Sequence, residues 1–81
     1  MEKKVIVYAL KSQFDGRIYV GMTTNLKRRI KEHNSKQNKS TKAYCPWDLI
    51  YSETCSDYEQ ARIREKYWKS GMGKTQLKPL I

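Results

Sequence analysis

Six consecutive apolar residues, Val5-Ile6-Val7-Tyr8-Ala9-Leu10, stand near the start of the chain and constrain its architecture more than any other feature. The run is rich in β-formers and lacks the polar alternation of a strand with one face in water. It predicts a strand buried on both faces. With 81 residues the chain has room for one domain, 1–81, made of one small sheet and two or three helices. A two-domain enzyme, a repeat array and a large cofactor pocket are not expected at this length.

The residues that follow supply the packing partners. Gln13-Phe14-Asp15-Gly16 is a turn with Asp-Gly as its signal, and residues 17–22 read as a second strand. The two strands make an antiparallel hairpin. Any register with an even-numbered loop puts Tyr8, Tyr19 and Gly21 on one face of the sheet. Thr24 or Asn25 can cap a helix from about Leu26 to about Ser35, with Leu26, Ile30 and His33 at helical spacing. Asn34 to Thr41 is polar and lysine-rich and reads as an exposed loop. Pro46 and Trp47 introduce a third strand over residues 48–53. Ser56-Asp57-Tyr58-Glu59 has the form of a capping box with Ser56 at the cap. The helix it opens should reach Lys69 or Ser70, where Gly71 stops it, and a short last helix can start at Lys74. The expected fold is α/β, a small three-stranded, mainly antiparallel sheet flanked by helices in the order β-β-α-β-α(-α).

Composition narrows the partner. Lys and Arg number 17 against 8 Asp and Glu, a formal charge of +9, while six tyrosines and two tryptophans argue for a folded chain rather than a disordered one. That sign favours a polyanion, nucleic acid before an anionic membrane. The charge is concentrated. Residues 27–42 carry Lys27, Arg28, Arg29, Lys31, Lys36, Lys39 and Lys42 against Glu32 alone, a net +6. Residues 62–78 carry a net +5, and the remainder is acidic. Two basic segments on one small domain resemble a footprint for a phosphate backbone, although two solvated helix faces would give the same pattern. Cys45 and Cys55 match no zinc spacing and read as reduced thiols, which fits a cytoplasmic protein. The apolar run after Lys3-Lys4 is too short for a signal peptide or a membrane span.

Four positions fit a purely structural account poorly. Tyr8 and Tyr19 share a sheet face with Gly21, and a glycine inside a strand leaves room for another backbone or a ligand; an aromatic cross-strand pair explains them equally well. Arg29 borders the apolar stripe of its helix, where a guanidinium could hold a phosphate with two hydrogen bonds or simply snorkel. Glu65 falls between Tyr58, Ala61 and Trp68 on a helical wheel, and a buried carboxylate must be paired or bind a metal. Ile63 and Tyr67 form a competing stripe on the far side of that helix. His33, the only histidine, could carry a proton, touch phosphate or pack half-buried. No HxxxH pair, Ser/His/Asp set or phosphate-binding P-loop is present, which removes zinc proteases, triad hydrolases and P-loop nucleotidases.

These residues, taken in order, resemble the GIY-YIG nuclease domain. Val7-Tyr8-Ala9, Tyr19-Val20-Gly21, Arg29 with His33, and Glu65 follow the family's sequence of elements, with Ile6-Val7-Tyr8 standing where Gly-Ile-Tyr is usual. Lys39-Ser40-Thr41-Lys42, Pro46-Trp47 and Trp68-Lys69-Ser70-Gly71 are similar to the short stand-alone bacterial members, which resemble the nuclease domain of the excision-repair incision subunit. The resemblance implies a divalent-metal DNA endonuclease. Glu65 would then be the ligand of Mg²⁺ or Mn²⁺, Tyr8 the general base that activates water, Tyr19 an assisting or orienting group, and Arg29 the contact to the scissile phosphate. His33 matches a position often occupied by histidine, and the asparagine some members carry late in the domain has no counterpart. Lys27, Arg28, Lys36, Lys39 and Lys42 would contact DNA, including branched forms, with no membrane and no obligate protein partner implied. The alternative within the same fold is a module that binds nucleic acid without cutting it. A small basic structural protein that binds RNA at least as well as DNA is a third reading.

Overall fold

The structure is a computed structural model and describes residues 4–35, 39 and 41–77. Strand β1 (Val5–Ser12) and strand β2 (Ile18–Thr23) lead into helix α1 (Leu26–Asn34). A single 3-10 turn at Lys42–Tyr44 precedes strand β3 (Trp47–Cys55), and helices α2 (Tyr58–Lys69) and α3 (Gly71–Leu77) complete the chain. The sheet order is β2-β1-β3 and both pairings are antiparallel. The apolar run therefore lies at the centre of the sheet, and Val5, Val7, Tyr8, Ala9 and Leu10 are all buried. Its two faces serve two cores. Val5, Val7 and Ala9 pack with Val20, Ala61, Trp68 and Leu77 on the side covered by α2 and α3. Tyr8 and Leu10 pack with Trp47, Tyr19, Leu26 and Ile30 on the side covered by α1.

Strand β3 contributes to both cores because it contains a bulge. Ala9 pairs with Tyr51 and Leu10 with Leu49, so Ile50 is an extra residue in the ladder. The insertion reverses which face the following side chains take. Tyr51 and Cys55 accordingly pack against the α2 core, while Trp47 packs against the α1 core. Cys45 and Cys55 are both free thiols. They flank opposite ends of β3, whose eight steps at ~3.3 Å each hold them far beyond disulfide reach.

Local chemistry explains the element ends and corrects several expectations. In the hairpin, Gly16 adopts φ 78°, the left-handed region that the Asp-Gly pair anticipated. Helix α1 is capped by Asn25, whose side chain accepts from the Arg28 N–H at 3.1 Å. With nine residues it would be marginal alone and depends on packing against the sheet. Helix α2 is capped by Asp57, not Ser56: the Asp57 carboxylate accepts from the Gln60 N–H at 2.9 Å, and no capping box forms. Gly71 does not stop α2 with a left-handed turn. Ser70 ends the helix in an extended conformation (φ −70°, ψ 162°), and its hydroxyl accepts from the Gly73 N–H at 3.2 Å, so α3 starts at Gly71 rather than Lys74. The glycine that matters here is Gly73. A Cβ there would overlap the Tyr67 carbonyl oxygen and sit 2.6 Å from the Trp68 Cα, so only glycine lets α3 lie against the end of α2. Among the described residues no helix is long and apolar enough to cross a membrane.

Candidate active site

Tyr8 is the centre of the site. It stands on the middle strand, opposite Gly21 on β2, while Leu10 stands opposite Tyr19. Tyr8, Tyr19 and Gly21 thus share a face, as the even-numbered hairpin loop requires. Gly21 makes room for the Tyr8 side chain. A Cβ at that position would lie 2.7 Å from the Tyr8 Oη, 2.9 Å from its Cζ and 3.1 Å from the Tyr19 Cε1. The Tyr8 ring is 6.4 Å from the Tyr19 ring, and Tyr19 meets His33 edge-on at 5.0 Å between centroids.

Helix α1 brings His33 and Arg29, one turn apart, over this face. His33 is fully buried rather than half-buried, and both ring nitrogens are engaged. Nε2 lies 3.0 Å from the Tyr8 Oη and Nδ1 lies 2.8 Å from the Thr41 Oγ1. Burial lowers the His33 pKa below its ordinary value and the Arg29 charge lowers it further, so the ring is held neutral. Tyr8 shifts the other way. Burial raises its phenol pKa, the neighbouring Arg29 guanidinium opposes that shift, and Glu65 adds to it through space. Arg29 itself donates to Glu32 at 3.0 Å and keeps a third of its side chain exposed, so it can turn toward an incoming anion.

The two half-buried carboxylates near α2 differ sharply in their partners. Glu53, on β3, accepts from Arg64 Nε at 2.6 Å, Arg64 Nη2 at 3.1 Å, Trp68 Nε1 at 2.7 Å and Tyr51 Oη at 2.9 Å. The Arg64 bonds, ahead of those from Trp68 and Tyr51, hold its pKa below the usual carboxylate range. Glu65 has no such set. Among the described residues its one cation within 4 Å is Lys69, four residues on, at 3.7 Å, although its side chain is only 22% exposed. A carboxylate paired with a neighbouring arginine is the structural alternative to a metal ligand here, and that pairing is absent because Arg64 is committed to Glu53. The two stripes on α2 are also resolved: Ala61 and Trp68 are buried, while Ile63 is 58% exposed. Glu65 therefore lies beside the buried stripe, within electrostatic range of Tyr8.

Among the described residues no three His, Cys, Asp or Glu side chains gather into a metal cluster. A single loosely paired carboxylate suits Mg²⁺ or Mn²⁺, which keep most of their waters and take further ligands from a substrate phosphate; it suits zinc poorly. Of the other residues singled out in the sequence, Lys27, Arg28, Lys39 and Lys42 are exposed, with Arg28 3.7 Å from Glu32. Lys36 lies outside the described residues. Thr41 and Glu53 were not singled out in the sequence. An i, i+8 hydroxyl and a cross-element ion pair leave no periodic signal, so both needed the fold to become visible.

Fold and site together define a small basic α/β domain with phenol, imidazole, guanidinium and carboxylate groups brought together by β1, β2, α1 and α2. The chain belongs to the GIY-YIG family: the family model described as GIY-YIG catalytic domain matches residues 4–78. It is similar to a UPF0213 protein of Streptococcus pneumoniae, with 39% identity over 70 residues that cover 85% of this chain and 70% of the relative. A UPF0213 protein of Desulfotalea psychrophila is 49% identical over 53 residues, 63% of this chain, and the match spans 48% of that protein's length. The human structure-specific endonuclease subunit SLX1 is 35% identical over 49 residues, covering 56% of this chain and 18% of that protein. In three dimensions the chain is similar to the solution NMR structure of a UPF0213 protein from Bacillus halodurans, with a TM-score of 0.57, 35% identity, and coverage of 95% of this chain and 84% of the other.

Proposed function

We propose that this domain is a divalent-metal-dependent endonuclease that hydrolyses phosphodiester bonds in DNA. The observation that carries the reading is the buried Tyr8–His33 hydrogen bond beside Arg29. A phenol with a raised pKa stays protonated at neutral pH, so it can take a proton from water only by passing on its own. It need not act alone. His33 is kept neutral by burial and by Arg29, so its Nε2 can accept the Tyr8 proton as Tyr8 takes one from the attacking water. Water oxygen then bonds to phosphorus, the bond to the leaving oxygen breaks, the leaving oxygen takes a proton from solvent water, and the proton taken up by His33 returns to solvent after product departs. Arg29 turns from Glu32 onto a non-bridging phosphate oxygen, where its two donors match phosphate geometry. Tyr19, edge-on to His33, keeps the ring and the Tyr8 phenol in register. Glu65 would hold Mg²⁺ or Mn²⁺, which supplies Lewis-acid polarisation of the phosphate and stabilises the leaving oxygen.

The basic segments serve as the DNA track. Lys27 and Arg28 lie on the exposed side of α1, Lys39 precedes the 3-10 turn and Lys42 opens it. The name of the human relative specifies structure-specific cleavage. We extend that to this chain as a preference for branched or flapped DNA. Incubating the protein with branched, nicked and duplex DNA, with and without Mn²⁺, tests the proposal. Metal-dependent nicking of at least one branched substrate is expected. Binding to every substrate with no cutting under any metal condition would leave a non-cleaving binding module instead.

A further inference from the structure

We infer that Thr41 is a positioning residue whose hydroxyl fixes the His33 ring with Nε2 facing the Tyr8 phenol. The inference rests on the proposed roles of Tyr8 and His33 and adds the group that holds the pair in its working orientation. Thr41 is fully buried, and its Oγ1 lies 2.8 Å from His33 Nδ1, while His33 Nε2 lies 3.0 Å from the Tyr8 Oη. A half-turn of the ring about its Cβ–Cγ bond would break both bonds at once. The relay needs the Nε2 lone pair to accept the Tyr8 O–H, so the proton of the neutral ring must sit on Nδ1 and donate to Thr41. Free histidine in water prefers the other tautomer. The protein therefore has to favour the one it uses; a hydroxyl can donate or accept, so in the relay tautomer the Thr41 oxygen serves as the acceptor for Nδ1–H, and the ring ¹⁵N shifts read which role it takes.

Thr41 belongs to no regular element, yet it is held firmly. The Trp47 indole N–H donates to the Thr41 carbonyl at 3.0 Å. The Trp47 backbone is in turn clamped by Asn34, next to His33 on α1: Asn34 Oδ1 accepts from the Trp47 N–H at 2.6 Å, and Asn34 Nδ2 donates to the Trp47 carbonyl at 3.2 Å. The bonds close a ring from α1 through β3 to Thr41 and back to His33. A threonine that only filled space would not require this brace. The same ring explains why Thr41 is buried although the polar segment it ends was expected to be a plain exposed loop.

The test uses the fact that His33 is the only histidine, so its two ring nitrogens can be assigned without ambiguity by ¹⁵N NMR of the full chain. Parent, Thr41→Val and Thr41→Ser are compared by ring ¹⁵N shifts and by cleavage of a branched DNA with Mn²⁺. The parent should show the Nδ1–H tautomer. Thr41→Val, which keeps the shape and removes the hydroxyl, should shift the ring toward Nε2–H and lower kcat at least about tenfold with KM within about twofold. Thr41→Ser should restore both. A parent ring in the free-solution tautomer mixture overturns the inference without any variant, so the test survives if Thr41→Val does not fold. Parental shifts or parental kcat in a folded Thr41→Val protein overturn it as well. If the parent cuts nothing, the nuclease reading fails on its own, and the ring shifts still decide whether Thr41 positions His33.

Discussion

Replacing Glu53 by Gln should damage the fold and leave the chemistry intact. Its carboxylate takes four hydrogen bonds from the nitrogen and oxygen donors of Arg64, Trp68 and Tyr51, with a long 4.0 Å contact from Cys55 Sγ beside them, and ties β3 to α2. Charge-assisted bonds contribute about 1.5–3 kcal/mol each when well buried. The Arg64 side chain is 42% exposed against 19% for Glu53, so solvent screening brings that ion pair down to ~1 kcal/mol. A glutamine Oε1 can still accept from Trp68 and Tyr51, but as a neutral acceptor, a further loss of ~1 kcal/mol. The sum of about 2 kcal/mol corresponds to a fall in Tm of about 8–16 °C for a domain of this size. Thermal unfolding followed by circular dichroism at pH 7 measures it. The pH dependence gives a second check with a definite sign. The folded Glu53 pKa lies below its unfolded value, so its contribution is complete above about pH 4.3 and disappears as pH falls through the folded value. The gap between parent and Glu53→Gln should therefore close in acid. A Tm within about 2 °C of the parent at pH 7, or a gap that persists at low pH, would refute the reasoning.

Gly21→Ala places a Cβ 2.7 Å from the Tyr8 Oη, so the phenol must leave His33; cleavage should fall at least about a hundredfold while overpacking costs about 1–3 kcal/mol, and parental activity would show that the Tyr8–His33 bond is dispensable. Replacing Lys36, Lys39 and Lys42 together by Ala should flatten the slope of log K against log[salt] for duplex DNA by up to about three units, and an unchanged slope would place this segment off the backbone. Because the folded pKa of His33 lies below the unfolded value of about 6.5, the neutral ring's contribution to stability is complete above that pH and is lost as pH falls through the folded value. His33→Gln should flatten this acid-side slope in a Tm titration, and an identical slope in parent and variant would mean that the ring does not titrate as a buried group.

The central strand and the common face of Tyr8, Tyr19 and Gly21 were legible in the sequence because both follow from period-two geometry, which an apolar run and an even-numbered hairpin loop fix locally. The approximate helix positions were legible for the same kind of reason. The ends were less so. Asp57 took the cap that Ser56 was expected to hold, since two adjacent residues can each accept from the first turn and tertiary packing chooses between them. Gly71 and Gly73 carry the same signal, but only the contact of α3 with the Trp68 backbone shows that Gly73 is the one that must be glycine. At the site, Tyr8, Tyr19, Arg29 and Glu65 could be picked out as residues poorly suited to a structural role, and His33 as the only histidine. Their division of labour could not. That Arg64 answers Glu53 and leaves Glu65 loosely paired depends on contacts across 11 residues of sequence, and that Thr41 answers His33 depends on a brace through Trp47.

The most direct measurement of the central claim is a comparison of the parent with Glu65→Gln for DNA binding, metal binding and cleavage of one branched substrate in Mn²⁺. Glu65 has only a 3.7 Å contact to Lys69, so the substitution should leave Tm unchanged or slightly raised. DNA affinity, carried by the exposed lysines and arginines, should persist. Mn²⁺ binding and cleavage should disappear together. A folded Glu65→Gln protein that cuts DNA as fast as the parent would contradict the account.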